Sequence, residues 1–238
     1  MVRDRAFVLC YHALSHDWSS PLSVAPTVLR GHLVRLLDSG YEPVTFSRLV
    51  LNPPPHRAVA VTFDDGFRSV LDLALPVLRD LGAVATVFVP TDFPDRGALA
   101  WPGVDPAPGI TDPDELRSLD WPALGRLGAA GWEIASHTCS HPSLTGLPDA
   151  ELERELVESR RRCGDSTGTE CRAIAYPYGH VDDRVEAAAR RAGFLAGAAL
   201  RDGPRRARPL RWPRVEVYRG DGWLRLRTRM ARAAARAR

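Results

Sequence analysis

Two adjacent carboxylates, Asp64 and Asp65, end the apolar, β-prone run Val59-Ala60-Val61-Thr62-Phe63 and are followed at once by Gly66. Side by side they repel each other, and at the end of a buried strand they are costly without a nearby cation. A matching set lies downstream. His137 and His141 stand four residues apart, directly after another apolar run, Trp132-Glu133-Ile134-Ala135. One carboxylate and two imidazoles make a three-ligand set that suits a divalent metal such as zinc and leaves positions open for water and substrate. The second carboxylate is then free to act as a base. Pro142 follows His141 and argues for a loop or single turn, on which positions i and i+4 still share one side. Cys139, between the two imidazoles, lacks their spacing and reads as a small buried residue.

Short apolar runs alternate with amphipathic stretches along the chain, the pattern of repeated β-α units. Strands are predicted at 6–10, 44–46, 58–63, 85–89, 132–136, 173–177, 194–200 and 214–218. Helices are predicted near 27–38, ended by Gly40, near 69–81, kinked or restarted by Pro76, and near 121–130. A further helix near 148–163 has Asp149 and Glu151 in its first turn, Arg160 to Arg162 in its last, and Gly164 as its stop. The last runs over 182–192, between an Asp182 cap and a Gly193 stop. Residues 90–118, rich in Pro, Gly and Asp, read as a substrate-side loop. The expected fold is α/β, a single-domain distorted (β/α) barrel of about seven strands. Reactive groups in that fold belong at the carboxyl ends of strands, where Asp64, Asp65, His137, the Pro177-Tyr178-Gly179 turn and His12 all fall.

At 238 residues the chain is large enough for one full core, divided as a domain over 1–223 and an Arg-rich tail over 224–238. Every basic residue is Arg, and the net charge of +3 does not suggest nucleic-acid binding. The positive charge is concentrated instead at the end of the chain. Arg225, Arg227, Arg229, Arg232, Arg236 and Arg238 occur there without an acid, either as a solvated helix face or as a peripheral contact with anionic lipid headgroups. Cys10, Cys139, Cys163 and Cys171 show no Cys-x-x-Cys pairing and read as reduced, although Cys163 and Cys171 could bridge in an oxidising compartment. The short apolar run Ala6 to Cys10 is neither a signal peptide nor a membrane span, so the expected location is cytoplasmic, with the inner membrane face as an option.

Thr62-Phe63-Asp64-Asp65-Gly66, Ala85-Thr86-Val87-Phe88-Val89, His137-Thr138-x-x-His141-Pro142 and Tyr176-Pro177-Tyr178-Gly179 resemble, in order and spacing, the motifs of the polysaccharide deacetylase family. This is the NodB-homology group, carbohydrate esterase family four. The resemblance implies that Asp65, His137 and His141 hold a divalent metal, most simply zinc, with cobalt or nickel as alternatives. It implies that Asp64 is the base for the attacking water and that the Tyr178 N–H, the first donor after Pro177, helps hold the oxyanion. The implied activity is removal of an N-acetyl group from an acetylated amino sugar, N-acetylglucosamine in a glycan or glycolipid, with no obligate protein partner.

Two positions depart from the family pattern. Where the family carries an Arg paired to the base, two residues before the proline of the third motif, this chain has Ala175; Arg214 could supply the guanidinium. No Leu-x-His occurs near the C-terminus, and after His180 there is no histidine at all. Tyr11-His12 resembles the N-terminal Tyr-His of the branch that deacetylates poly-N-acetylglucosamine, so His12 is the expected acid for the leaving amine. O-acetyl esterase and amino-sugar deformylase activities would use the same site, and a catalytically silent carbohydrate-binding protein is the rival of another class. Trp101, Trp212 and Trp223 are candidate sugar platforms or core anchors. His16, His32, His56 and His180 read as loop or surface residues, with His180 close to the Tyr178 turn.

Overall fold

Parallel strands of almost wholly apolar sequence form the frame. The structure, a computed structural model, describes residues 6–101, 104, 112–200 and 208–236. Its strands are β1 (Ala6–Tyr11), β2 (Ala13–Leu14), β3 (Ser23–Val24), β4 (Glu42–Val44), β5 (Ala58–Phe63), β6 (Thr86–Val89), β7 (Glu133–Ser136), β8 (Ala173–Ala175), β9 (Ala196–Ala199), β10 (Trp212–Pro213) and β11 (Val215–Glu216). The α-helices are α1 (Pro26–Asp38), α2 (Phe46–Leu51), α3 (Leu75–Asp80), α4 (Trp121–Ala129), α5 (Asp149–Thr167), α6 (Asp183–Arg191) and α7 (Trp223–Arg236). All residues of β5 and β6 are buried, as expected for strands covered on both faces.

The main sheet runs β10-β9-β8-β7-β6-β5-β1-β11, with β4 also paired to β5. Its two ends are consecutive in sequence: β10 pairs with β9 and β11 pairs with β1, separated only by Arg214. One kinked segment, 212–216, therefore closes the sheet into a nearly complete barrel, in agreement with the expected fold. The interior beneath the site is lined by small side chains, among them Ala60, Ala135, Ala175 and Ala198, together with Phe88. The larger apolar residues pack between sheet and helices.

Local signals explain most helix ends. Asp120 caps α4 by accepting the Ala123 N–H at 2.7 Å, and Asp182 caps α6 through the Val185 N–H at 2.8 Å. Pro76 lies in the first turn of α3, directly after a π-helical turn at Val70–Ala74, so the helix restarts there as its missing N–H demands. Several expectations need correction. Gly164 does not stop α5, which continues to Thr167 and ends at Gly168 in the left-handed region, φ 67. The strand placed at 44–46 lies at Glu42–Val44, and Phe46 begins α2 because its ring packs beside Phe88 in the barrel interior. The strand at 214–218 is replaced by two short pieces around Arg214. His32 is not at the surface: it is buried on α1, and its Nδ1 lies 3.0 Å from the Tyr11 hydroxyl.

The C-terminal segment is a docked helix rather than a free tail. Leu226 and Met230 of α7 are buried, and Arg229 pairs with buried Asp221 at 3.3 Å while donating to Glu216 O at 2.9 Å. Among the described residues no helix is long and apolar enough to cross a membrane. The four cysteines are free and buried. In the expected substrate-side loop, residues 102–103 and 105–111 lie outside the described residues, as does Arg238.

Candidate active site

Strand register assembles the site. β1 and β5 pair with Tyr11 opposite Phe63, and the Asp64 N–H donates to Tyr11 O at 2.9 Å, so His12 and Asp64 emerge side by side. β6 and β7 pair with Val89 opposite Ser136, and His137 N–H donates to Val89 O at 2.8 Å, which starts the His loop at the same end of the barrel.

Asp65, His137 and His141 converge. Asp65 Oδ1 lies 3.4 Å from Nε2 of each imidazole, and one ligand atom from each of the three residues falls within 4.8 Å of the others. All three are buried. Nδ1 of His137 is 2.8 Å from Ala175 O. A carbonyl only accepts, so Nδ1 donates to it and Nε2 is the nitrogen that faces Asp65. His141 Nδ1 is buried and has no hydrogen-bond partner. The ring is held instead by aromatic contacts, stacked on Trp101 at 4.3 Å and edge-on to Tyr178 at 4.9 Å. This donor set, with the His137 tautomer fixed by the Ala175 carbonyl, fits a divalent ion of zinc type.

Asp64 stands farther from the imidazoles, with Oδ2 3.9 Å from His137 Nε2. Arg214 grips it with two parallel bonds, Nη1 to Oδ1 at 2.6 Å and Nη2 to Oδ2 at 2.7 Å, and also reaches Thr62 Oγ1 at 3.2 Å. The guanidinium is fully buried and stands 5.6 Å over the Phe88 ring. The Cys10 thiol donates to Asp64 Oδ2 at 3.5 Å. Burial works against the charged form of Asp64, but the Arg214 charge, His137 and the Arg214 hydrogen bonds outweigh it and hold the carboxyl below its usual range. Asp65 is lowered as well: burial again opposes ionisation, and the bonds to His137 and His141 overcome it. His137 is raised, burial notwithstanding, by its bond to Asp65 and by the charges of both carboxylates, whereas burial dominates at His141 and lowers it.

Among the described residues the only non-glycine positive φ angles are at Asp65 (70°), Thr138 (68°), His141 (64°) and Tyr178 (59°). Each such residue carries a backbone penalty of about 1–3 kcal/mol, and all four lie in or beside this cluster. In the Pro177-Tyr178-Gly179 turn the hydrogen bonds are donated by Gly179, to Tyr176 O at 2.8 Å, and His180, to Pro177 O at 3.2 Å, so the Tyr178 N–H is not used by the turn itself. Only glycine fits at 179: an added Cβ would meet Leu200 Cβ at 2.4 Å. Gly66 is required by its φ of 70° and not by crowding, since the nearest atom to an added Cβ is 3.6 Å away.

His12 stands beside Asp64 and Cys10, with Nδ1 buried and without a hydrogen-bond partner. His180 contacts Ser143 Oγ at 3.2 Å. Trp101 is buried against His141, Trp212 is half-buried on the barrel interior, and half-buried Trp223 has the Arg35 guanidinium of α1 over its ring. Sequence reasoning passed over Glu155, an acid on the apolar face of α5 between Leu152 and Leu156; a charge at a core-facing helical position was the available signal.

The motif match covers most of this cluster. A polysaccharide deacetylase family profile matches residues 51–197, which hold Asp64, Asp65, His137, His141 and Tyr178. The chain belongs to the polysaccharide deacetylase family. The curated relative YxkH of Bacillus subtilis, named as a polysaccharide deacetylase, is 25% identical over 201 residues, 82% of this chain and 64% of that protein. A chitooligosaccharide deacetylase of Sinorhizobium fredii is 31% identical over 144 residues, 58% of this chain and 55% of the relative. The chain thus spans less than two thirds of the length of these curated family members. Its fold is that of the Streptococcus pyogenes deacetylase PplD, solved with acetate, with a TM-score of 0.80, 22% identity and coverage of 94% of this chain and 97% of that one. His12 and Arg214 lie outside the matched family segment.

Proposed function

We propose that this polysaccharide deacetylase is a divalent-metal-dependent hydrolase that removes the N-acetyl group from an acetylated amino sugar, N-acetylglucosamine in a glycan or glycoconjugate. The observation that carries this reading is the convergence of Asp65, His137 and His141 beside an Asp64 carboxylate locked by Arg214. Asp65, His137 and His141 would hold the ion, with zinc the best match and cobalt or nickel as substitutes. When bound, it supplies a Lewis acid that makes water easier to deprotonate and polarises the acetamide carbonyl. Asp64 takes the proton from the attacking water, whose oxygen bonds to the carbonyl carbon. The Tyr178 N–H donates to the oxygen on which negative charge develops. His12 delivers a proton to the sugar nitrogen as the C–N bond breaks, giving acetate and a free amine.

Acetate release from N-acetylated chitooligosaccharides tests the reading directly. Activity is expected to disappear on chelation and to return with added zinc or cobalt. Sugar binding without turnover under any of several metals would instead favour a carbohydrate-binding protein.

The amide nitrogen is a poor leaving group and needs its proton, whereas an alkoxide leaves with less help. His12→Ala is therefore expected to lower amide turnover by about 10²–10⁴-fold and to affect an O-acetyl ester far less. Full amide turnover in that variant would remove His12 from the mechanism.

A membrane-associated substrate pool is part of the proposal. The outer face of α7 exposes Arg225, Arg227, Arg232 and Leu224, the last 68% exposed, and carries no acid. Vesicles containing phosphatidylglycerol are expected to co-sediment with the protein at low salt, and phosphatidylcholine vesicles are not. Equal behaviour with the two lipids would dismiss the contact.

A further inference from the structure

The loop that carries the two imidazoles has an uncommon hydrogen-bond pattern. Its four amides from Thr138 to His141 donate to side-chain oxygens. The Thr138 N–H bonds Ser136 Oγ at 3.1 Å and the His141 N–H bonds Thr138 Oγ1 at 3.1 Å. The two in the middle, from Cys139 and Ser140, both donate to Glu155 Oε2, at 2.8 and 3.0 Å. The other carboxylate oxygen accepts from Ser140 Oγ at 2.9 Å and from Arg154 Nη2 at 3.0 Å. Glu155 is 1% exposed, and one helical turn later Ser159 Oγ lies 2.8 Å from Ser136 Oγ. One face of α5 thus serves as the template for the loop. Thr138 and His141 flank the middle amides with positive φ, so the segment would relax if those amides lost their acceptor.

We propose that Glu155 is a positioning residue of the metal site: by fixing the Cys139–Ser140 turn, its carboxylate sets the mutual orientation of the His137 and His141 imidazoles. Glu155 touches neither the ion nor the substrate and acts through the two ligands. The inference rests on the metal-site reading above. It differs from a general packing role because the amide acceptor, and not the volume of the side chain, carries the effect.

The test is equilibrium zinc binding by competition with a chromophoric chelator, paired with the visible absorption of the cobalt-loaded protein. Glu155→Leu keeps the bulk and removes the acceptor; zinc affinity is expected to fall about 10–100-fold, with a changed cobalt spectrum. Glu155→Gln keeps one oxygen able to accept both amides and is expected to stay close to the wild type. Should Glu155→Leu fail to fold, Glu155→Asp carries the test, because it retains the charge but withdraws the oxygen by a methylene, and weakened zinc binding is again expected. A folded Leu or Asp variant with wild-type zinc affinity and an unchanged cobalt spectrum overturns the proposal, as does a Gln variant as weak as Leu. A wild-type protein that binds neither metal overturns the metal-site reading itself, a result distinct from the other two.

Discussion

Replacing Arg214 with Met is expected to lower stability at neutral pH by about 3–5 kcal/mol, the range for breaking a buried ion pair by deleting one partner. The side chain is fully buried and makes two bonds to Asp64, so its removal leaves a buried carboxylate without its hydrogen-bonded countercharge. The pH dependence has a definite sign. In the wild type the folded-state value of Asp64 is depressed, so its pairing stabilises the fold fully above the unfolded carboxylate value near 4 and loses that contribution as pH falls through the folded value. Without Arg214 the same carboxyl should be raised, and the deficit of the variant should be greatest near neutrality and shrink on acidification. Urea unfolding at two pH values measures this. Turnover should fall as well, with the acid limb of kcat/KM displaced to higher pH. A variant as stable as the wild type near neutrality, with the same acid limb, would detach Arg214 from the base.

Asp64→Asn is expected to reduce kcat/KM for acetate release by about 10²–10⁴-fold, the usual contribution of a general base. The substitution is isosteric, but the new amide turns an N–H₂ toward the Arg214 guanidinium, so some loss of stability accompanies it. Zinc affinity is the discriminating readout. Asp65, not Asp64, shares its oxygen with both imidazoles at 3.4 Å, so the Asn variant should still bind zinc. If it loses zinc as completely as Asp65→Ala does, the division of labour between the neighbouring acids is wrong.

Much of the frame was legible because alternating apolar and amphipathic segments report β-α units directly, and because strand ends are where loops carry reactive groups. Asp64, Asp65, His137 and His141 could be grouped from residue type and spacing alone. Other features depend on contacts that no local pattern encodes. The Gly164 stop was misplaced by a turn because glycine signals a helix end only where the backbone adopts positive φ, which happens at Gly168. Val44-Thr45-Phe46 alternates like a strand, but so short a run does not separate a strand from a helix start, and Phe46 is the first residue of α2. His32 looked like a surface residue on an amphipathic helix; its burial follows from the Tyr11 hydroxyl on a strand 21 positions earlier. Trp101 could be a sugar platform or a core anchor from its sequence alone, and the structure stacks its buried indole on His141.

The segment around Arg214 joins the last strand of the sheet to the first, and the pair it completes is separated by 150 positions along the chain. β1, β5 and the loops that carry Asp65, His137 and His141 all precede residue 214 in the chain. Without residue 214, Asp64 lacks its guanidinium partner, and ionising it in a closed interior is less favourable. A chain cut short of Arg214 is therefore expected to lack the ion pair on the proposed base, although most of its helices and strands precede the cut.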